Sequence, residues 1–146
     1  MARTLIPYLV TKDAHSAIAF YQAAFGAVEA FRMRDPGDGR IGHAELAIDG
    51  CQFMLSDEYP DFGALSPDSI GGTAVTFHLS TQAVDADVER AAAAGALVLR
   101  APANQSFGER SALLLDPYGH RWMLSQTVEV VSPGEMQARW EADTSA

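Results

Sequence analysis

The order of signals in the first half of the chain returns in the second. In FYQAAFGAVEAFR (20–32) and VERAAAAGALVLR (88–100) an Ala-rich helical segment runs into a glycine and then a strand, and Gly26 and Gly95 stand 69 residues apart. A chain that repeats one supersecondary unit is confined to folds that pair two copies of it around shared apolar surface.

Each copy reads as β-α-β-β-β. In the first, TLIPYLVT (4–11) is a strand. Asp13 then offers an N-cap oxygen, and Ala14, Ala17, Ile18, Tyr21, Ala24 and Phe25 recur at helical spacing. Gly26 is placed to end this helix in the left-handed conformation. VEAFRMR (28–34) follows as a strand, DPGDG (35–39) as a turn, and two more strands split by Asp49-Gly50, a two-residue hairpin signal. In the second copy TAVTFHLS (73–80) is a strand, QAVDADVERAAAAGA (82–96) a helix, LVLRAP (97–102) a strand, and RSALLLDPYGHRWMLSQ (110–126) a strand, turn and strand.

The expected organisation is a single α+β domain over 1–146: repeat one at about 4–57, a connection rich in Gly and Pro at about 58–72, repeat two at about 73–127, and a C-terminal helix at about 132–142. Ser132, Pro133 and Glu135 give that helix a capping-box start. Met136 and Trp140 are the residues through which it would pack on the body or on a partner.

The chain's 146 residues carry 10 basic and 19 acidic side chains, a net charge of −9, with no Lys/Arg block. This argues against a nucleic-acid partner. The single Cys51 excludes an internal disulfide and a multi-Cys zinc site; in its apolar strand it reads as a small core residue. No stretch approaches the roughly 18 apolar residues of a membrane span, and no signal peptide is evident. A soluble cytoplasmic protein without a membrane partner is expected.

The segment GHAEL (42–46) puts His43 and Glu45 on one face of a strand. That pairing suits half a metal site, an acid–base pair, or the polar lining of a pocket. An inward carboxylate needs a partner, and Arg110 or Arg121 would serve. In TAVTFHLS, Val75, Phe77 and Leu79 should face the helix, leaving Ala74, Thr76, His78 and Ser80 on the other face. His15 reads as exposed and His120 as a turn residue. The aromatics Tyr8, Phe53, Phe107, Tyr118 and Trp122 supply core, or a stacking surface where they face a cavity. The loop NQSFGERS (104–111) can cover a site with Glu109 and Arg110 at its rim.

With the duplicated unit, AFYQAAFGA in the first helix, AAAAGA closing the second and DPYGHRW before the last strand, the chain resembles the vicinal oxygen chelate superfamily. That group holds glyoxalase I, extradiol dioxygenases, fosfomycin-resistance transferases and bleomycin-binding proteins. PYLVTKDAHSAIAFYQAAFGAVE, HAELAIDG, MLSDEYP, SPDSIGGTAV and DPYGHRW resemble its bacterial glyoxalase-like, demethylubiquinone-methyltransferase-like branch, over roughly residues 5 to 135. The resemblance implies a curved, glyoxalase-like arrangement of eight strands and a homodimer with two sites.

It also implies four metal-ligand positions, which fall here at Ile6, Glu45, Thr76 and Met123. Only Glu45 suits the hard divalent ions that the superfamily uses. The expectation is therefore a small-molecule-binding protein of the bleomycin-resistance type, without a cofactor. It would hold an organic ligand at or near a dimer interface with Tyr8, Phe53, Thr76, Phe107, Arg110, Trp122 and Met123. The alternative is a lyase, isomerase or dioxygenase. In it, a shifted set of His43, Glu45 and His78 would hold a divalent metal, or Glu45 would act as general base with His43 or His78 as acid. A purely structural dimerisation module would leave Glu45 unexplained.

Overall fold

A computed structural model describes residues 2–145. The first repeat comprises β1 (Tyr8–Thr11), α1 (Ala14–Phe25), β2 (Val28–Arg34), β3 (Ile41–Ile48) and β4 (Cys51–Asp57). The connection holds a 3-10 turn (Pro60–Phe62) and the one-turn helix α2 (Pro67–Ile70). The second repeat comprises β5 (Thr76–Ser80), α3 (Val84–Ala94), β6 (Leu97–Asn104), β7 (Glu109–Leu115) and β8 (Arg121–Thr127), and α4 (Pro133–Thr144) follows.

The α+β class and the duplicated β-α-β-β-β unit stand as the sequence indicated. The eight strands divide into two four-stranded sheets, ordered β1-β4-β3-β2 and β5-β8-β7-β6, and no ladder joins the two. In each, the first strand runs parallel to the last and the other pairs are antiparallel. Strands β1 and β5 are shorter than the apolar runs suggested, because ladder partners begin only at Tyr8 and Thr76.

The helix ends follow the sequence signals. Asp13 accepts the Ser16 amide at 3.1 Å, and Gly26 ends α1 at φ 68°. Asp49 and Gly50 turn the β3–β4 hairpin with φ of 47° and 80°, the pair of positive values that a type I′ turn needs. The repeats also share a device that ties each helix to its sheet. Asp57, at the end of β4, accepts the amides of Ala14 (2.8 Å) and Ile41 (2.7 Å); Gln126, in the same place on β8, accepts the Val84 amide at 3.1 Å.

One apolar core spans both repeats, with Leu9, Ile18, Tyr21, Leu46, Leu55, Val84, Leu114 and Leu124 almost fully buried. Asp116, in the DPYG turn, fastens the repeats together. It accepts from the Tyr21 hydroxyl (2.5 Å), the Trp122 indole (2.9 Å), and the amides of Tyr118 (2.8 Å) and His120 (3.0 Å). Burial, with Asp116 beside it, pushes the Tyr21 hydroxyl well above the ordinary phenol value. His120 Nε2 lies 2.9 Å from the Val10 carbonyl, a structural role in keeping with its place in a turn. Arg90 of α3 donates to the Ala23 carbonyl at 2.7 Å and so closes the C-terminal end of α1.

Two expectations need correction. Cys51 is exposed, not core, because it opens β4 directly after the hairpin turn. Of the two places offered for α4, the body is excluded: Met136 and Trp140 are both exposed and α4 buries no residue on this chain. The helix is held instead by polar contacts: Arg139 bridges to Glu129 at 2.9 Å and to the Ser106 carbonyl at 2.7 Å, and Ser106 donates to Asp143. Half of the capping box forms: Ser132 accepts the Glu135 amide, while the Glu135 carboxylate accepts from Arg139 instead of from the Ser132 amide. No helix among the described residues is long and apolar enough to cross a membrane.

Candidate functional site

The helices cover one face of each sheet and leave the other open. On the first sheet Leu9, Phe53, Leu55, Ala44 and Leu46 are buried toward α1. The alternate residues Tyr8, Met54, His43 and Glu45 therefore share the open face. Ladder register puts Phe31 opposite Glu45 and Met33 opposite His43. Tyr8, Phe31 and Met33 are 49%, 45% and 55% exposed, an apolar rim around two titratable groups.

At the centre three side chains join in a line. The Tyr8 hydroxyl is 2.8 Å from His43 Nδ1, and His43 Nε2 is 2.9 Å from Glu45 Oε2. An ionised carboxylate only accepts, so a neutral His43 carries its proton on Nε2, donates it to Glu45, and takes the Tyr8 hydroxyl hydrogen at Nδ1. Glu45 Oε1 makes no hydrogen bond among the described residues. Burial, with the Glu45 charge adding to it, raises the Tyr8 hydroxyl above the ordinary phenol value. Tyr8 thus remains a proton donor through the neutral range.

Beside this line lies a shallow, open depression of about 410 Å³ bordered by Met33, Arg34, Asp35, Pro36, His43 and Tyr59. The Tyr59 ring is held by the Arg40 guanidinium, 4.0 Å from its centroid. Gly42 leaves the Tyr59 hydroxyl room, since a Cβ there would come within 3.3 Å of it.

The structure separates residues that the sequence allowed to meet. His43 and Glu45 come together with Tyr8, and Glu45 takes His43 as partner where Arg110 or Arg121 was expected. His78 belongs to the other sheet. It borders a cavity of about 320 Å³ between the repeats, with Leu9, Cys51, Phe53, Phe77 and Trp122 among its walls. The shifted His43–Glu45–His78 set does not form within one chain, and no group of three His, Cys, Asp or Glu suited to a metal ion exists among the described residues. At the positions the superfamily uses for metal, Ile6, Thr76 and Met123 offer no strong donor for a hard cation. The donor set of this chain does not fit a divalent ion.

Phe53 and Trp122 face the core and the junction cavity. Thr76 and Met123 lie on the open face of the second sheet, where Thr76 pairs with Arg121 and His78 with Met123. Arg110 turns to the helix side and pairs with Asp85 of α3 at 2.7 Å, because it alternates with the open-face residues Glu109 and Ser111. It leaves the expected site rim, and so does Glu109, which accepts from Ser125 at 2.8 Å. Phe107 is half-buried in the β6–β7 turn. Sequence reading missed Phe31, Met33, Arg34 and Tyr59. They reach His43 across ladders and loops whose register no local pattern announces.

The model of the Glyoxalase/Bleomycin resistance protein/Dioxygenase superfamily matches residues 3–124. The match spans most of the chain, which therefore belongs to that superfamily. An uncharacterised protein of Mycobacterium tuberculosis is 46% identical over 137 residues, 92% of this chain and 80% of that protein. TioX from Micromonospora sp. ML1 is similar at 25% identity and a TM-score of 0.67, over 86% of this chain and 99% of that one. The fosfomycin resistance protein FosX of Listeria monocytogenes, solved with Mn(II) and a dihydroxypropylphosphonic acid, shares the fold at a TM-score of 0.66 and 20% identity, over 96% of this chain and 99% of that one.

Proposed function

We propose that this chain binds a small organic ligand on the open face of the first sheet, without a bound metal, as a homodimer. The observation that carries the reading is the Tyr8–His43–Glu45 line beside a 410 Å³ depression. A pocket of a few hundred Å³ with apolar walls and a few fixed polar groups is the usual form of a ligand site. Tyr8, Phe31, Met33 and Tyr59 supply flat or soft surface for an aromatic ligand, and the three bonded groups orient it. Both His43 nitrogens are engaged, by Tyr8 and by Glu45, so the ring is not left to a cation.

A second reading is favoured by one feature of the same site, the free Oε1 of Glu45. As a general base it would take a proton from a carbon beside a carbonyl, while the Tyr8 hydroxyl turns its hydrogen from His43 Nδ1 to the enolate oxygen. His43 Nε2–H holds Glu45 in place.

The test has three parts. Elemental analysis of protein purified without a metal-binding tag should find no stoichiometric divalent metal; one that disappears in Glu45→Ala overturns the metal-free reading. Titration with 2-naphthol should shift the His43 ring resonances saturably, and resonances that stay still would remove this face as the site. Sedimentation should give a dimer at micromolar concentration. Deuterium exchange into phenylpyruvate, accelerated by the protein but not by Glu45→Gln, separates the enzyme from the binding protein.

A further inference from the structure

We infer that the open face of the second sheet carries a receptor for an oxyanion, built on Arg121, so that its ligand is an organic acid. This rests on the reading that the open face of the first sheet takes an organic ligand, and extends that use to the matching face of the second.

Among the described residues Arg121 is set apart by one guanidinium nitrogen. Its Nε is buried without a partner, and its side chain enters no ion pair or hydrogen bond among the described residues. Arg32, Arg40, Arg110 and Arg139 each have a carboxylate within 3.1 Å. With 19 acidic residues against 10 basic, the chain does not lack carboxylates to offer Arg121. A buried charged donor without an acceptor is costly, and one that persists calls for a partner outside the chain.

The surroundings leave Arg121 facing outward with little competing negative charge. Trp122 and Leu124 are buried in the core, so Arg121 points with Met123 to the open side. Arg121 stands in register with Thr76 and Leu115, and Arg100 with Leu113. Arg100 donates to the Ser111 hydroxyl at 2.8 Å. The four strands contain one carboxylate, Glu109, which accepts from Ser125 (2.8 Å) and Thr127 (3.2 Å) instead of from an arginine. Guanidinium groups present paired N–H donors that match a carboxylate or phosphoryl group. The oxyanion can come from a small organic acid or from a carboxylate of a second copy of the chain. The inference takes the small acid.

Wild-type protein and Arg121→Met are titrated with benzoate and phenyl phosphate, with benzamide as the uncharged counterpart. Both anions should bind the wild type saturably and benzamide should not. Arg121→Met should weaken them about tenfold or more, the size of one charge-assisted hydrogen bond. Sulfate should compete for the wild-type site, a readout that needs no variant, and Arg121→Lys should retain part of the affinity. Arg110→Gln, which removes a guanidinium already paired with Asp85, should keep anion binding, and the 2-naphthol titration of His43 is read separately, so a failure of the first-sheet site and a failure of this one are told apart. Equal anion affinity in wild type and Arg121→Met overturns the inference, as does a wild type that binds neither anion. If that silent wild type is a dimer that Arg121→Met dissociates in sedimentation, the oxyanion belongs to the second copy.

Discussion

Tyr8, Glu45 and Met54 on the first sheet stand where His78, Leu113 and Met123 stand on the second, since both trios are joined by the same ladder pairs. One step along, His43 corresponds to Ser111, and across the ladder Phe31 corresponds to Arg100. The backbone positions match and the chemistry does not. The first face gathers a phenol, an imidazole and a carboxylate in hydrogen-bond contact, while the second has apolar residues and a hydroxyl there, with two arginines nearby. A duplicated unit keeps what its own folding requires: the helix tie of Asp57 and Gln126, the glycine after each helix, the strand order. The open face bears no such duty, because burial and ladder bonding do not depend on it. Its residues are therefore where two copies of one scaffold can diverge into complementary halves, a base on one side and cations on the other.

The largest effect comes from cutting what fastens the copies together. Asp116 holds Tyr21 of the first repeat and Trp122 of the second on one oxygen. Asp116→Ala strands a phenol, an indole and two amides, and should cost about 3 kcal/mol or more in urea unfolding followed by circular dichroism. The transition should stay single, because the core is shared. A split into two transitions would mean that the repeats are separate units, and the comparison of their faces would then concern two independent modules.

A smaller and more local change makes the first face copy the second. Glu45→Leu installs the residue found at Leu113. Stability should move by no more than about 1 kcal/mol, since a partly exposed polar pair of this kind contributes little. The consequence should fall on His43. In the wild type its neutral ring is held with the proton on Nε2, and without the carboxylate the two tautomers should mix, which long-range proton–nitrogen spectra report. An unchanged tautomer would show that Tyr8 alone fixes the ring, and Glu45 would lose its place in the line.

The duplication was readable because its carriers are local: an N-cap at Asp13, glycines with positive φ, apolar residues at helical spacing, Asp49-Gly50 between strands. His43 and Glu45 were readable as a pair for the same reason, since residues two apart on a strand share a face. What could not be read was what each meets across the fold. Tyr8 lies 35 residues from His43, and Arg110 is one residue from Ser111 yet faces the opposite way. Arg121 was weighed only as a partner for Glu45, because nothing in DPYGHRW says that its guanidinium ends without one. Cys51 was taken as core from its neighbours, while the turn before it decides its exposure.

The connection between the sheets has its own pH dependence. Glu58 accepts from the Ser66 amide and from the hydroxyls of Ser66 and Ser69, and these bonds hold its carboxyl down at about 2. The folded value lies below the unfolded one, so the stabilisation is present above about 4.5 and is lost as pH falls toward about 2. Glu58→Gln should flatten part of the acid limb of a stability–pH curve over that window and leave the neutral-to-basic limb alone. An acid limb identical in the variant would assign it to other carboxylates. Because Glu58, Ser66 and Ser69 all lie in the connection, the effect belongs there and should not touch anion binding at Arg121.

The smallest effect separates the two faces of the second sheet. Arg110 and Arg121 sit on strands of one sheet and carry the same group, but Arg110 already has Asp85 in a two-pronged contact at 2.7 and 2.8 Å on the exposed helix side. An exposed pair of this kind contributes little, since solvent screens it and two long side chains must be ordered to form it. Arg110→Gln should leave the unfolding midpoint and the affinity for benzoate where they were, while Arg121→Met lowers that affinity. Equal losses in the two variants would mean that the anion answers to the general positive charge of these strands, and the distinction between a partnered and an unpartnered guanidinium would carry no information about the ligand.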